Sequence, residues 1–250
     1  MKDRPSKPGS VLLRGAVLLF ALSMLSMQTR TLQTKMTDNF RIRYPRNISA
    51  KQAARVGKLL EEVYAEYRTK IGSGFRGKQD VVLVATTGQL RQQSVIFEDA
   101  AFHDAKIYVL PSKLFANDSS ARQSAARVVA RAILGEIPLC PPWLAESYSL
   151  YAGGQPLELG KPAQLTESSF SDLHEDYARA ENEQDFREIY AKLAATSRFL
   201  FERYGEKKVE AVFAELKRGN AIEEALESSL GEKMNVIEKE WVISLQSAVK

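Results

Sequence analysis

The hydrophobic pattern changes character along this chain. Residues 1–14 are polar and basic, and Gly15–Met27 (GAVLLFALSMLSM) is then uncharged and almost wholly apolar. A positive stretch before a short apolar run is the layout of a secretory signal. Thirteen residues fall short of the roughly 17–25 of a membrane-spanning helix. Adding Val11–Leu13 extends the run to seventeen, with Arg14 near enough to its end to snorkel. Ala21 and Ser23 fit a cleavage site but leave a very short apolar core. The expectation is an uncleaved anchor over residues 1–28, with the domain held outside the cytoplasm at the cytoplasmic membrane. Cleavage to a secreted or periplasmic form is the alternative.

Residues 29–38 are polar and read as a linker. Phe40–Tyr44 (FRIRY) alternates apolar and charged residues, as a half-buried strand does. Ser49 can cap a long helix to about Lys70, whose stripe includes Val56, Leu60, Val63 and Tyr67. Val81–Val84 is a continuous apolar run that suits a strand buried on both faces. Thr87–Gln93 reads as a short helix and Lys106–Leu110 as a third strand. Ser119 or Ser120 can open a helix to Leu134, closed by Gly135. After Pro138, Pro141 and Pro142 comes a helix over Trp143–Tyr151. Helices over Phe186–Tyr204, Lys208–Arg218 and Ala221–Leu230, and one capped by Asn235, fill the C-terminal part. A few strands followed by many helices predict an α+β fold. The organisation expected is an α+β domain over 39–160 and a helical C-terminal subdomain of the same unit over 161–250.

Charge adds one point. The chain of 250 residues has a net charge of +4, and the six basic and two acidic residues within 1–38 account for all of it. The remainder is formally neutral, so the basic character belongs to the tail, and no nucleic-acid partner is expected. A single cysteine, Cys140, excludes an internal disulfide, and the prolines flanking it suggest a packed residue. The two histidines, His103 and His174, show no metal-ligand spacing. Gly72-x-Gly74-x-x-Gly77 mimics a dinucleotide-binding fingerprint, but it follows a helix and precedes a strand, the reverse of the required context.

Several short segments, taken in order, carry a family resemblance. They are Asn39–Pro45 (NFRIRYP), Leu59–Tyr64 (LLEEVY), Pro142–Ser147 (PWLAES), Phe199–Gly205 (FLFERYG), Gly219–Gly231 and Ile237–Leu245. Together they resemble the gluzincin zinc metallopeptidases, in particular the peptidase-MA-like group, over about 39–250. The resemblance implies a zincin-like (thermolysin-like) fold. Active members carry His-Glu-x-x-His on the helix before the Pro-rich turn, where positions i and i+4 share a face and reach one zinc. The intervening Glu activates the zinc-bound water, and a Glu of the Trp-Leu-x-Glu segment is the third ligand. In this chain the matching stretch is Arg127-Val128-Val129-Ala130-Arg131. Arg127 and Arg131 stand at the histidine positions, Val128 at the general base and Glu146 at the third ligand, with Ser147 replacing the usual glycine.

Arginine offers no lone pair to a dication and valine accepts no proton. The resemblance therefore implies a degenerate member with zinc lost, no cofactor and no catalytic residue. Arg127 or Arg131 is expected to pair with Glu146 across the two helices, the alternative being two solvent-facing arginines. Tyr108, Trp143, Ser147 and Tyr148 are candidates to line the former cleft, although core packing suits Tyr148 equally. Lys106–Leu110 is the candidate edge strand for a peptide or protein partner. The expected function is a non-catalytic binding or scaffold protein. The alternative is an active metallopeptidase, or another hydrolase, with a displaced site.

Overall fold

The computed structural model describes residues 32–94, 97, 99–154 and 169–249. The anchor over 1–28 and the subdomain boundary at 160/161 lie outside the described residues. No helix among the described residues is long and apolar enough to cross a membrane.

The protein is an α+β molecule built on a mixed five-stranded sheet in the order β1-β2-β3-β5-β4. The strands are β1 Gln33–Met36, β2 Phe40–Tyr44, β3 Gln79–Leu83, β4 Ala100–His103 and β5 Lys106–Val109. β2, β3 and β5 are parallel neighbours, and the two edge strands β1 and β4 run antiparallel to them. β2 alternates as its sequence predicts. Phe40, Ile42 and Tyr44 point into the core, while Arg41 and Arg43 on the opposite face reach Asp80 of β3 at 3.5 and 3.3 Å.

Three sequence expectations change here. The linker over 29–38 contains β1. β3 is not buried on both faces: Val81 and Leu83 are buried but Val82 is only partly so, because a small cluster around Leu90 and Leu110 is all that packs on that side. And β5 is internal, not an edge. Asp104 and Ala105, at φ 48° and 55°, form a two-residue turn that folds Ala100–His103 back against it. Two successive left-handed residues make the primed hairpin turn that matches strand twist. The edge strand on that side, among the described residues, is therefore β4.

Helix α1, Ala50–Ile71, lies across the sheet. Ser49 opens it with a reciprocal cap: its hydroxyl accepts from the Gln52 N–H, and the Gln52 side chain accepts from the Ser49 N–H. Gly57 is where helix and sheet approach most closely, since a Cβ there would lie 2.9 Å from Ile42 Cδ1. Two short helices follow, α2 Thr87–Arg91 and α3 Pro111–Leu114. Then come α4 Asp118–Gly135 and α5 Pro142–Ala152, which pack against each other, with α4 also against α1. The remainder is α6 Phe170–Arg179, α7 Glu183–Tyr204, α8 Glu206–Arg218, α9 Ile222–Leu230 and α10 Met234–Val249. The larger apolar cluster runs from Phe40 to Leu245 and joins the sheet to these helices. Trp241 of α10 is fully buried and donates its indole N–H to Thr196 of α7 at 2.9 Å.

Candidate functional site

Helices α4 and α5 sit at the centre of the molecule, buried over nearly all of Ser124–Leu134 and Trp143–Leu150. Three charged side chains nevertheless lie on their mutual face and its border with β4. Arg127, Val128 and Arg131 of α4 and Glu146 of α5 line one cavity of about 260 Å³, enclosed further by β4, α6 and α7. The four positions singled out by sequence register therefore converge in space.

Arg131 meets Glu146 directly. Its Nε donates to Glu146 Oε1 at 2.5 Å, with the two side chains only 16% and 9% exposed. The same carboxylate oxygen accepts from the Tyr177 hydroxyl at 3.3 Å. Oε2 accepts from the Tyr190 hydroxyl at 3.3 Å, and the Ser149 hydroxyl, 3.4 Å away, donates to the Glu146 backbone carbonyl at 2.8 Å. Both carboxylate oxygens are thus engaged, as a buried charge requires. Burial opposes the charge on Arg131, but the adjacent Glu146 carboxylate outweighs it and raises the guanidinium pKa. Burial, and then the same carboxylate, push the Tyr190 and Tyr177 hydroxyls above their ordinary range. Both tyrosines remain protonated donors.

Arg127 does something different. Its guanidinium donates to Asp99 at 3.2 Å and to the Ala100 carbonyl at 2.8 Å, and it stacks on the Phe97 ring at 3.3 Å from the centroid. Burial lowers its pKa and Asp99 opposes that, yet a guanidinium stays charged at any physiological pH. Asp99 is itself held by Ser124 and by the Ala100 N–H. The ladder register gives this contact a consequence. Asp99 accepts from Leu110 N–H of the neighbouring chain segment, so Ala100 and Phe102 are the β4 residues whose backbone groups face outward. Arg127 and Asp99 occupy those of Ala100.

The four expected cleft-lining residues lie elsewhere. Tyr108 is on the opposite face of the sheet, beside Val82 and Leu110, because strand neighbours alternate and Ile107 and Val109 take the core side. Trp143 is buried and stacked on Phe170 at 4.6 Å. Ser147 is buried and its hydroxyl has no partner among the described residues. Tyr148 is buried against Phe213, with its hydroxyl toward Glu210 at 3.3 Å. The reason is helical geometry: each residue turns about 100°, so Ser147 and Tyr148 point away from Glu146 while Ser149, three residues on, shares its face.

The cavity is lined instead by Ser149, Tyr177, Tyr190, Phe97, Phe102 and Phe186, among others. His103 is the last residue of β4, exposed at the cavity rim. His174 is exposed on α6. Among the described residues no group of three or more His, Cys, Asp or Glu side chains could hold a metal ion. The residues at the expected metal position offer guanidinium donors and a carboxylate already engaged by Arg131, Tyr177 and Tyr190, a set suited to holding helices together rather than to binding a cation. Cys140 is partly buried, and burial pushes its thiol up to about 12, which makes it a poor nucleophile at neutral pH. No protein-family model and no curated protein matches this chain.

Proposed function

We propose that the protein is a non-catalytic relative of the gluzincin peptidases, anchored by Gly15–Met27, whose former active-site cleft serves to bind an extended peptide or protein segment. The observation that carries this reading is the pairing of Arg131 with Glu146 at 2.5 Å inside the cavity. Two residues assigned by sequence register to one lost metal site lie in contact, with a fixed guanidinium charge where a metal charge would stand. The mixed sheet with antiparallel edge strand β4 beside that cavity is consistent with a zincin-like fold and with strand-type peptide recognition. With arginine at 127 and 131, where metal ligands would stand, there is neither a Lewis acid nor an activated water at that position for peptide hydrolysis.

Elemental analysis of purified full-length protein tests the reading. The expected zinc content is far below one ion per chain, unchanged by Glu146→Gln. One zinc per chain, lost in that variant, overturns it.

A further inference from the structure

The β1–β2 half of the sheet carries an exposed face of mixed apolar and basic character. Helix α1 packs on one side of β2, where Gly57 meets Ile42 and Tyr64 meets Phe40. The β1–β2 register sets Thr34 opposite Arg43 and Met36 opposite Arg41, so these four side chains share the other side. Leu32, immediately before β1, falls at the same alternate position. Leu32 and Met36 are 47% and 50% exposed. Farther along this face, the small cluster around Leu90 and Leu110 packs against Val82 and Tyr108. Among the described residues neither apolar cluster includes Leu32 or Met36.

The charge on this face is positive. Arg41 and Arg43 share one carboxylate, Asp80, at 3.5 and 3.3 Å, and both stay well exposed. Two guanidinium groups against one carboxylate leave an excess of one positive charge.

The chain that leads into β1 points to what meets this face. Met27 ends the apolar run of the anchor, and Leu32 follows five residues later. Five residues reach at most about 18 Å. A domain anchored by Gly15–Met27 therefore holds β1 beside the lipid surface. So short a tether gives an effective concentration in about the mM range, at which even a weak contact is occupied. Apolar side chains among basic ones suit the boundary between acyl chains and anionic headgroups. A second copy of the chain fits less well. Two half-exposed apolar side chains fall far short of the roughly 800 Å² per partner of a stable interface.

Resting on the anchor in the reading above, we infer that this face docks on the membrane that holds the anchor. Leu32 and Met36 enter the headgroup boundary, and Arg41 and Arg43 meet the phosphates of anionic phospholipid.

Fluorescence quenching by lipid-borne nitroxide tests this on the full-length protein. The protein is reconstituted into vesicles of phosphatidylethanolamine and phosphatidylglycerol. An environment-sensitive dye is attached through Thr34→Cys, or through Lys58→Cys on the outer side of α1, where the lysine side chain is 81% exposed. Both carry Cys140→Ser, and each protein is checked for a native circular dichroism spectrum. Quenching is expected to be severalfold stronger at 34 than at 58. It is expected to fall to the level at 58 in Leu32→Glu/Met36→Glu, and when phosphatidylcholine replaces both lipids. Equal quenching at the two positions, quenching that survives the glutamate pair, or quenching undiminished in phosphatidylcholine overturns the inference. A blue-shifted dye at 34 without lipid quenching also overturns it, since protein then covers the face. Washing the vesicles with alkaline carbonate separates the two failures. Protein that is retained but unquenched at 34 loses the docking and keeps the anchor, whereas protein released by the wash loses both.

Discussion

Replacing Glu146 by glutamine isolates the contact on which the site depends. The change removes one charge and almost no volume. It leaves Arg131, 16% exposed, beside a neutral amide in place of a carboxylate 2.5 Å away. Removing one partner of a buried pair costs about 3–5 kcal/mol. Glutamine keeps one carbonyl oxygen for a tyrosine or serine hydroxyl, which places the expected cost at the lower end, about 3 kcal/mol. For a chain of this size that corresponds to a fall in Tm of about 6–12 °C. Thermal melting followed by circular dichroism reads it directly. Glu62→Gln is the control, since its partner Lys58 is 3.9 Å away with both side chains largely exposed, and a surface pair of that kind is worth at most about 1 kcal/mol. Adding Arg131→Met to Glu146→Gln relieves the stranded cation and is expected to recover part of the loss. Because the pair is sheltered, the effect persists in about 1 M salt. A Glu146→Gln midpoint within about 1 °C of wild type would refute the buried pair.

Other expectations follow from single contacts. Arg127→Met strips the cap from the Ala100 carbonyl, so it should destabilise by about 2–3 kcal/mol and speed amide exchange in β4 measured by mass spectrometry. Gly57→Ala forces a Cβ to 2.9 Å from Ile42 Cδ1 and should cost about 1–3 kcal/mol despite better helix propensity, whereas Gly88→Ala, with open space around it, should not destabilise in the same urea titration. Ala105→Gly relieves a left-handed alanine at φ 55° and should raise stability by about 0.5–1 kcal/mol. The Cys140 thiol, pushed up to about 12 by burial, stays protonated in the native state at pH 8; its reaction with a disulfide reagent should be slow there, climb as pH rises past 10, and become fast in denaturant.

The long amphipathic helices were legible because each carries both a stripe and a boundary, as α1 does with Ser49 and Gly72. The short strands were not. β1 (QTKM) and β4 (AAFH) are four residues each, too short and too irregular in polarity for period-two alternation to register, and they exist because a neighbouring strand offers its ladder. Helix α6 left a signal that went unread: Ser169 and Asp172 form a capping box, and Phe170, Leu173 and Tyr177 make a stripe. Within the site, the motif register located Arg127, Arg131 and Glu146. Their other partners, Asp99, Tyr177 and Tyr190, come from separate segments of the chain, and no local pattern links residues that meet only through tertiary packing. Ser147 and Tyr148 miss the cleft for one cause, since neighbours in sequence are not neighbours on a helix face; Trp143, three residues before Glu146, is instead claimed by the stack with Phe170.

The most direct test of the central claim is to restore the missing donors. Zinc is titrated calorimetrically into wild type and into the triple variant Arg127→His/Val128→Glu/Arg131→His, each checked for a native circular dichroism spectrum. Wild type should bind none, the triple variant should hold one zinc tightly, and adding Glu146→Gln should abolish that zinc. A wild-type protein that takes up one zinc, or a folded triple variant that takes up none, would contradict it.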